Sequence, residues 1–191
     1  NILFEKRNFF KNGLLVILKL EIMRSILFAL IVMLSQSAFG QQSNPLPIVH
    51  QKMQALDWLS GKWQGTAFIN GQDGNKQELE HHLEFADKLN STVFFINESA
   101  MLAQDTLFRN MGFLGYDVLQ SKYNLKAFTN TGLQMDAYVE VLDKKMIWRF
   151  HSGGHVYKYT ANLNDKGQWH QIGEVSADEG KIWEPFFEST L

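Results

Sequence analysis

No cysteine occurs among the 191 residues, so a disulfide frame, a thiolate metal site, a cysteine nucleophile and a lipidated-cysteine anchor are all excluded. A basic excess is missing as well. The 18 Lys and Arg set against 20 Asp and Glu give a formal net charge of −2, which removes the electrostatic footprint that nucleic-acid binding requires. With only 3 Pro, 45% hydrophobic and 20% charged residues, the composition is that of an ordinary folded domain and not of a disordered chain. After residue 41 there is no internal repeat, low-complexity tract or interdomain linker. Aromatic side chains, by contrast, are plentiful. The 15 Phe, 5 Trp and 5 Tyr bury large apolar areas and belong in a packed core or a lined cavity.

The amino-terminal segment reads as an address. The first Met is Met23, and residues 1–22 are expected to be an upstream or mis-started extension. From Met23-Arg24-Ser25 the chain runs through nine apolar residues, Ile26 to Leu34, to Ser-Gln-Ser-Ala-Phe-Gly. A basic start, a short apolar stretch and small residues at Ala38 and Gly40 form the pattern of a secretory signal peptide over 23–40, cleaved after Gly40. Nine residues are too few to span a bilayer, which takes ~20. Five of the 18 basic and two of the 20 acidic residues precede Gln41, so the expected mature domain, 41–191, carries a net charge of −5. The expected location is periplasmic or secreted, with no membrane attachment after cleavage. Lacking disulfides, such a domain must rely on its hydrophobic core.

The mature region predicts one short helix and then strands. Pro47 suits a first helical position, Ile48, Leu56 and Leu59 flank a polar run, and Gly61 marks a stop. Turn signals then recur at Asn70-Gly71 with Asp73-Gly74, Asp87 to Ser91, Ala103 to Asp105, Asp117 to Ser121 and Thr131-Gly132. They continue at Asp143 to Lys145, Gly153-Gly154, Asp165 to Gly167 and Asp178 to Gly180. Nine turns imply ten strands, beginning near Lys62, Lys76, Thr92, Thr106, Lys122, Leu133, Met146, His155, Gln168 and Lys181. Connections this short join only antiparallel neighbours, and a meander of this length loses its exposed edges by closing. The expected fold is therefore all-β: a closed or nearly closed antiparallel up-and-down barrel of about ten strands behind a short helix. Period-2 alternation marks its two faces, with Leu79, His81, Leu83 and Phe85 set against Glu78, Glu80, His82 and Glu84.

Leu59-Ser60-Gly61-Lys62-Trp63, with Gly65 two residues on, places a Gly-x-Trp at the passage from helix to first strand. This motif resembles the opening motif of the lipocalins and the wider calycin group, and the resemblance implies that Trp63 plugs one end of a barrel. The Arg that usually partners this Trp near the end of the last strand is missing between Lys181 and Leu191. That departure points to ten-strand relatives such as fatty-acid-binding proteins and nitrobindins. The tail from Gly173 to Ser176, through Trp183, to Phe186-Phe187-Glu188-Ser189-Thr190-Leu191 is similar to that of a bacterial family of exported lipocalin-like barrels, a resemblance that carries no activity with it. Ser176, Asp178, Gly180 and Trp183 match the Asp-box of sialidase propellers. A propeller would repeat the blade, and one good copy is present, so these residues are read as a hairpin brace: Asp178 bonding backbone amides, Gly180 taking positive φ, Trp183 packing below.

No catalytic set emerges. There is no Gly-x-Ser-x-Gly elbow and no phosphate-binding glycine loop. The carboxylates of Glu78, Glu80 and Glu84 share a solvated strand face, which is no setting for acid-base work. Among the 6 His, His81 and His82 point to opposite faces, and no spacing suits a shared metal, so no metal is expected. His151 and His155 straddle Gly153-Gly154 as turn residues. His81, between Leu79 and Leu83, is open to three readings: a neutral core histidine, a polar group of a cavity, or an axial haem ligand. Nitrobindin similarity does not assign it, since its haem histidine has no matching position here. Asn90-Ser91-Thr92 and Asn97-Glu98-Ser99 fit the sequon pattern, which matters only in a eukaryotic secretory host.

The functional expectation is an exported barrel that binds a small hydrophobic or amphipathic molecule, with no cofactor other than the open haem alternative. His81, Arg109, Trp148, Tyr157 and Tyr159 are the candidate ligand contacts, with Trp63, Leu79, Leu83, Phe85, Met135 and Phe150 beside them on the inner face. Arg109 would be a carboxylate partner if Met111 and Phe113 face inward, but Phe108, Leu114 and Tyr116 compete for the same side. Two alternatives stand beside it. One is an isomerase or hydrolase on the same barrel using His81 or a tyrosine, and the other is a filled-core barrel acting through its outer surface.

Overall fold

A computed structural model describes Arg24, residues 44–70 and residues 75–191. The chain forms two units, 1–44 and 45–191, and the fold described is that of the second. The expected extension 1–22 and signal peptide 23–40 lie, apart from Arg24, outside the described residues.

Pro45 precedes helix α1, Leu46–Gln54, and its carbonyl accepts from the amides of Ile48 and Val49. Proline serves here because the first helical amides have no intrahelical acceptor in any case. The helix is shorter than the sequence suggests. It ends at Gln54, and a single 3-10 turn, Asp57–Leu59, leads into the barrel. Met53, Leu56 and Leu59 are buried in the main core, and Tyr123 Oη donates to the Lys52 carbonyl at 2.8 Å. The helix thereby caps one end of the barrel.

Ten strands follow: β1 Gly61–Asn70, β2 Lys76–Lys88, β3 Val93–Leu102, β4 Asp105–Asp117, β5 Lys122–Thr129, β6 Gln134–Leu142, β7 Lys145–Ser152, β8 His155–Leu163, β9 Trp169–Ser176 and β10 Glu184–Thr190. Each pairs antiparallel with its neighbours in sequence, and β1 pairs with β10, from Thr66 opposite Thr190 to Ile69 opposite Phe187, to close the barrel. This is the ten-strand up-and-down architecture that the turn spacing predicts. Closure depends on Gly65, where an added Cβ would collide with the Thr190 carbonyl. Glycine is required there because the backbones approach too closely for a side chain.

The alternation in β2 is realised directly: Leu79, His81, Leu83 and Phe85 are buried, while Glu78 and Glu80 face water. In β4 the competition resolves the other way from the Arg109 condition. Gly112 and Leu114 are buried with Phe108, Asn110 and Tyr116 on their side, whereas Met111 and Phe113 are 53% and 51% exposed. The tenth strand begins at Glu184 and not near Lys181, because the turn ahead of it is longer than its glycine signal suggests. In that turn Ser176 Oγ donates to Asp178 Oδ1, and this oxygen accepts from the amides of Lys181 and Ile182. These bonds hold the Asp178 carboxyl below its ordinary value, the Ile182 amide contributing most. Trp183 packs under Gly180, which has φ +85, and carries the Lys158 ammonium 4.2 Å above its ring.

Candidate functional site

The barrel interior is filled at one end and hollow at the other. At the helix end Trp169 stacks on Trp58 with centroids 6.0 Å apart and lies 6.2 Å from Trp63 and 5.5 Å from Phe85. Trp63 donates from Nε1 to the Leu59 carbonyl at 2.8 Å, fixing the chain at its passage into β1. Trp169, only 1% exposed, together with Phe85 also floors the space above. The aromatic share noted in the sequence thus divides between a plug and a wall.

Above this floor is a cavity of about 460 Å3, within the ~300–1,000 Å3 usual for small-molecule pockets. Its wall is mostly apolar, with Phe108, Met135, Trp148, Phe150 and Tyr159 among its members, and its rim includes Asn70, Leu107, Thr131 and Ser152 at the end away from α1. Trp148 and Tyr159 stack nearly parallel, 5.2 Å apart at 7°, and Phe150 continues the stack against Tyr159 at 6.2 Å. A register shift between Pro185 and Phe187 in β10 lets the adjacent Phe186 and Phe187 both reach the cavity, which strict alternation would forbid.

The polar cluster around Glu98 is one of the few interruptions of this wall, the Gln171 amide being another. Glu98 on β3 stands opposite Asn110 on β4 in register, and Asn110 Nδ2 donates to Glu98 Oε2 at 2.9 Å. The other carboxylate oxygen, Oε1, is 3.0 Å from Nε2 of His81. Burial pushes the Glu98 carboxyl up, but the hydrogen bond and charge of His81 and the Asn110 amide outweigh it and hold the group below its ordinary value. An ionised carboxylate only accepts, so His81 Nε2–H is the donor. The neighbouring Tyr159 phenol is pushed far up, first by burial and then by the Glu98 and Tyr157 oxygens, and it stays a neutral donor.

Of the sequence-predicted contacts, Trp148 and Tyr159 line the cavity. Tyr157 does not line the cavity; it is stacked on Phe150 at 5.3 Å and edge-on to Phe186. His81 does not line it either. Its side chain is 0% exposed, packed edge-on to Phe108 and Phe187. A ring with no free surface and Nε2 committed to Glu98 does not fit an axial haem ligand, so the haem reading of His81 finds no support in this geometry. Arg109 is corrected outright: it is exposed on the outer face, where its amide binds Asn130 Oδ1, because Asn110 and Gly112 take the inner positions of β4. Glu98 and Asn110 are site residues that the sequence reading misses. Their signal is parity, since Phe94, Ile96, Glu98 and Ala100 share one face of β3. Among the described residues no three His, Asp or Glu groups are placed to hold a metal ion.

A half-hollow, closed ten-strand antiparallel barrel capped by one short helix is a calycin-like fold, and such a barrel is compatible with holding a ligand inside. The fold is similar to the crystal structure of Rv2717c from M. tuberculosis, with a TM-score of 0.54 over 72% of this chain and 94% of that one, at 13% sequence identity. No protein-family model matches the chain, and no curated protein matches it in sequence.

Proposed function

We propose that this protein is an exported carrier or receptor that holds one small, mainly apolar molecule inside its barrel. The observation that supports this reading is the 460 Å3 cavity, bounded by a preformed, mainly apolar wall with few polar groups, Glu98 and Asn110 among them. An apolar pocket with few polar groups is the usual make-up of a small-molecule site. Export is part of the proposal and rests on Met23 to Gly40; among the described residues no helix is long and apolar enough to cross a membrane.

Titration with 1-decanol, followed by calorimetry and by tryptophan emission, tests the reading. Trp148 lies on the wall, so the expected result is saturable one-to-one binding with a change in emission. Ala127 also lines the cavity, and Ala127→Phe or Met135→Trp should abolish binding while the circular dichroism spectrum is retained. Absence of saturable binding, or binding that survives both filling substitutions, would overturn the proposal.

A further inference from the structure

The cavity has a sign. Among the described residues lining it, Glu98 is the one carboxylate and none is Lys or Arg. The cations of the surrounding strands sit on the outer face. Arg109 is exposed, Lys126 pairs with Asp136 at 3.0 Å, Arg149 with Glu140 at 2.7 Å and Lys158 with Glu174 at 2.7 Å. A ligand carboxylate entering the barrel would therefore lose its hydration, meet no countercharge and approach a like charge, each of which is costly in an apolar interior.

The acceptors in the wall point the other way. Glu98 keeps 17% of its side chain exposed and spends one hydrogen bond per oxygen, on His81 and on Asn110, so each oxygen has a lone pair to spare. Asn110 Oδ1 is buried and has no hydrogen-bond partner among the described residues. Buried acceptors of this kind are normally satisfied.

We infer that the cavity takes an amphiphile whose polar end donates a hydrogen bond to Glu98, an aliphatic or aromatic alcohol or amine, and rejects the corresponding carboxylate. This rests on the interior-binding reading above and names the ligand class for that site. His81 acts as a positioning residue: it holds Oε1 from behind, so that the remaining lone pairs face the cavity.

The test compares three probes with one chain, 1-decanol, decylamine and decanoate, by calorimetry at neutral pH with the wild type and Glu98→Gln. Decanol and decylamine should bind, and decanoate should bind on the order of tenfold more weakly or less, as the loss of a charge-assisted hydrogen bond implies. In Glu98→Gln the amine should lose on the order of tenfold and the spread between amine and carboxylate should shrink. Decanoate binding as tightly as the other two would overturn this inference and leave interior binding standing, whereas failure of all three would overturn both. An unchanged ranking in Glu98→Gln would remove Glu98 as the selecting group. If that variant does not fold, the wild-type ranking alone decides.

Discussion

Glu98 and Asn110 face each other across the β3–β4 ladder, and their 2.9 Å hydrogen bond lies on the cavity wall while His81 supports the same carboxylate from behind at 3.0 Å. The arrangement gives the pair of His81 and Glu98 a structural consequence whatever the cavity holds. Breaking a buried pair leaves an uncompensated charge, while replacing both members by apolar groups is often close to neutral. His81→Leu should therefore destabilise the fold by about 3 kcal/mol, and His81→Leu with Glu98→Leu should recover most of that loss. Urea unfolding of the two variants checks this. A double variant no more stable than His81→Leu would contradict the buried uncompensated charge as the source of the loss.

Acid should expose the same cluster. The folded state holds the Glu98 carboxyl below its ordinary 4.5, so near and below that pH the unfolded chain binds more protons. The stabilisation from Glu98 is thus fully present above about 4.5 and is lost as pH falls below it. Asp178 contributes with the same sign, from an ordinary value of 3.8. Subtracting the unfolding curves of Glu98→Gln from those of the wild type isolates the Glu98 part. The difference should shrink on going from pH 6 to pH 3 (roughly the span that brackets ordinary carboxyl values), and a constant difference would contradict the assignment.

The turn before β10 gives an internal comparison. Gly180 and Gly167 both have positive φ, +85 and +73, yet a Cβ at 180 would lie 3.1 Å from the Trp183 ring while one at 167 meets open space. Ala at either site should cost about 1 kcal/mol for the backbone alone. Gly180→Ala should cost more than Gly167→Ala because Trp183 must also shift. Equal losses by thermal unfolding would mean that the ring moves freely.

The strand plan is legible in the sequence because each connection carries its own turn chemistry. Observed strand starts at Lys76, Lys122 and His155 coincide with those read from the residues, and just before His155 the left-handed conformations fall on Gly153 and Gly154, which adopt them freely. The site is legible only in part. Trp148 sits on the alternating strand β7, so its inward facing follows from periodicity, and Tyr159 lies opposite it in register on β8. Glu98 obeys the same parity, but its place within Asn97-Glu98-Ser99 suggests a surface sequon instead. Arg109 is misplaced by sequence reasoning because β4 carries apolar residues on both faces, Met111 and Phe113 outside and Gly112 and Leu114 inside, so period 2 cannot choose between them. The cavity itself has no local signal. It exists because Trp58, Trp63 and Trp169 gather at one end while Trp148, Phe150 and Tyr159 stack on one another along the wall, and contacts between residues distant in sequence, such as Trp58 and Trp169, decide that.

A crystal structure of the protein grown with 1-decanol tests the central claim most directly. Interior binding predicts continuous density for the alkyl chain between the Trp169 floor and the rim, along Trp148 and Phe150, with the hydroxyl within about 3 Å of the Glu98 carboxylate, as a hydrogen bond requires. Density for the probe only on the outer face, or a barrel whose Trp148 and Phe150 have swung in to fill the space, would contradict it.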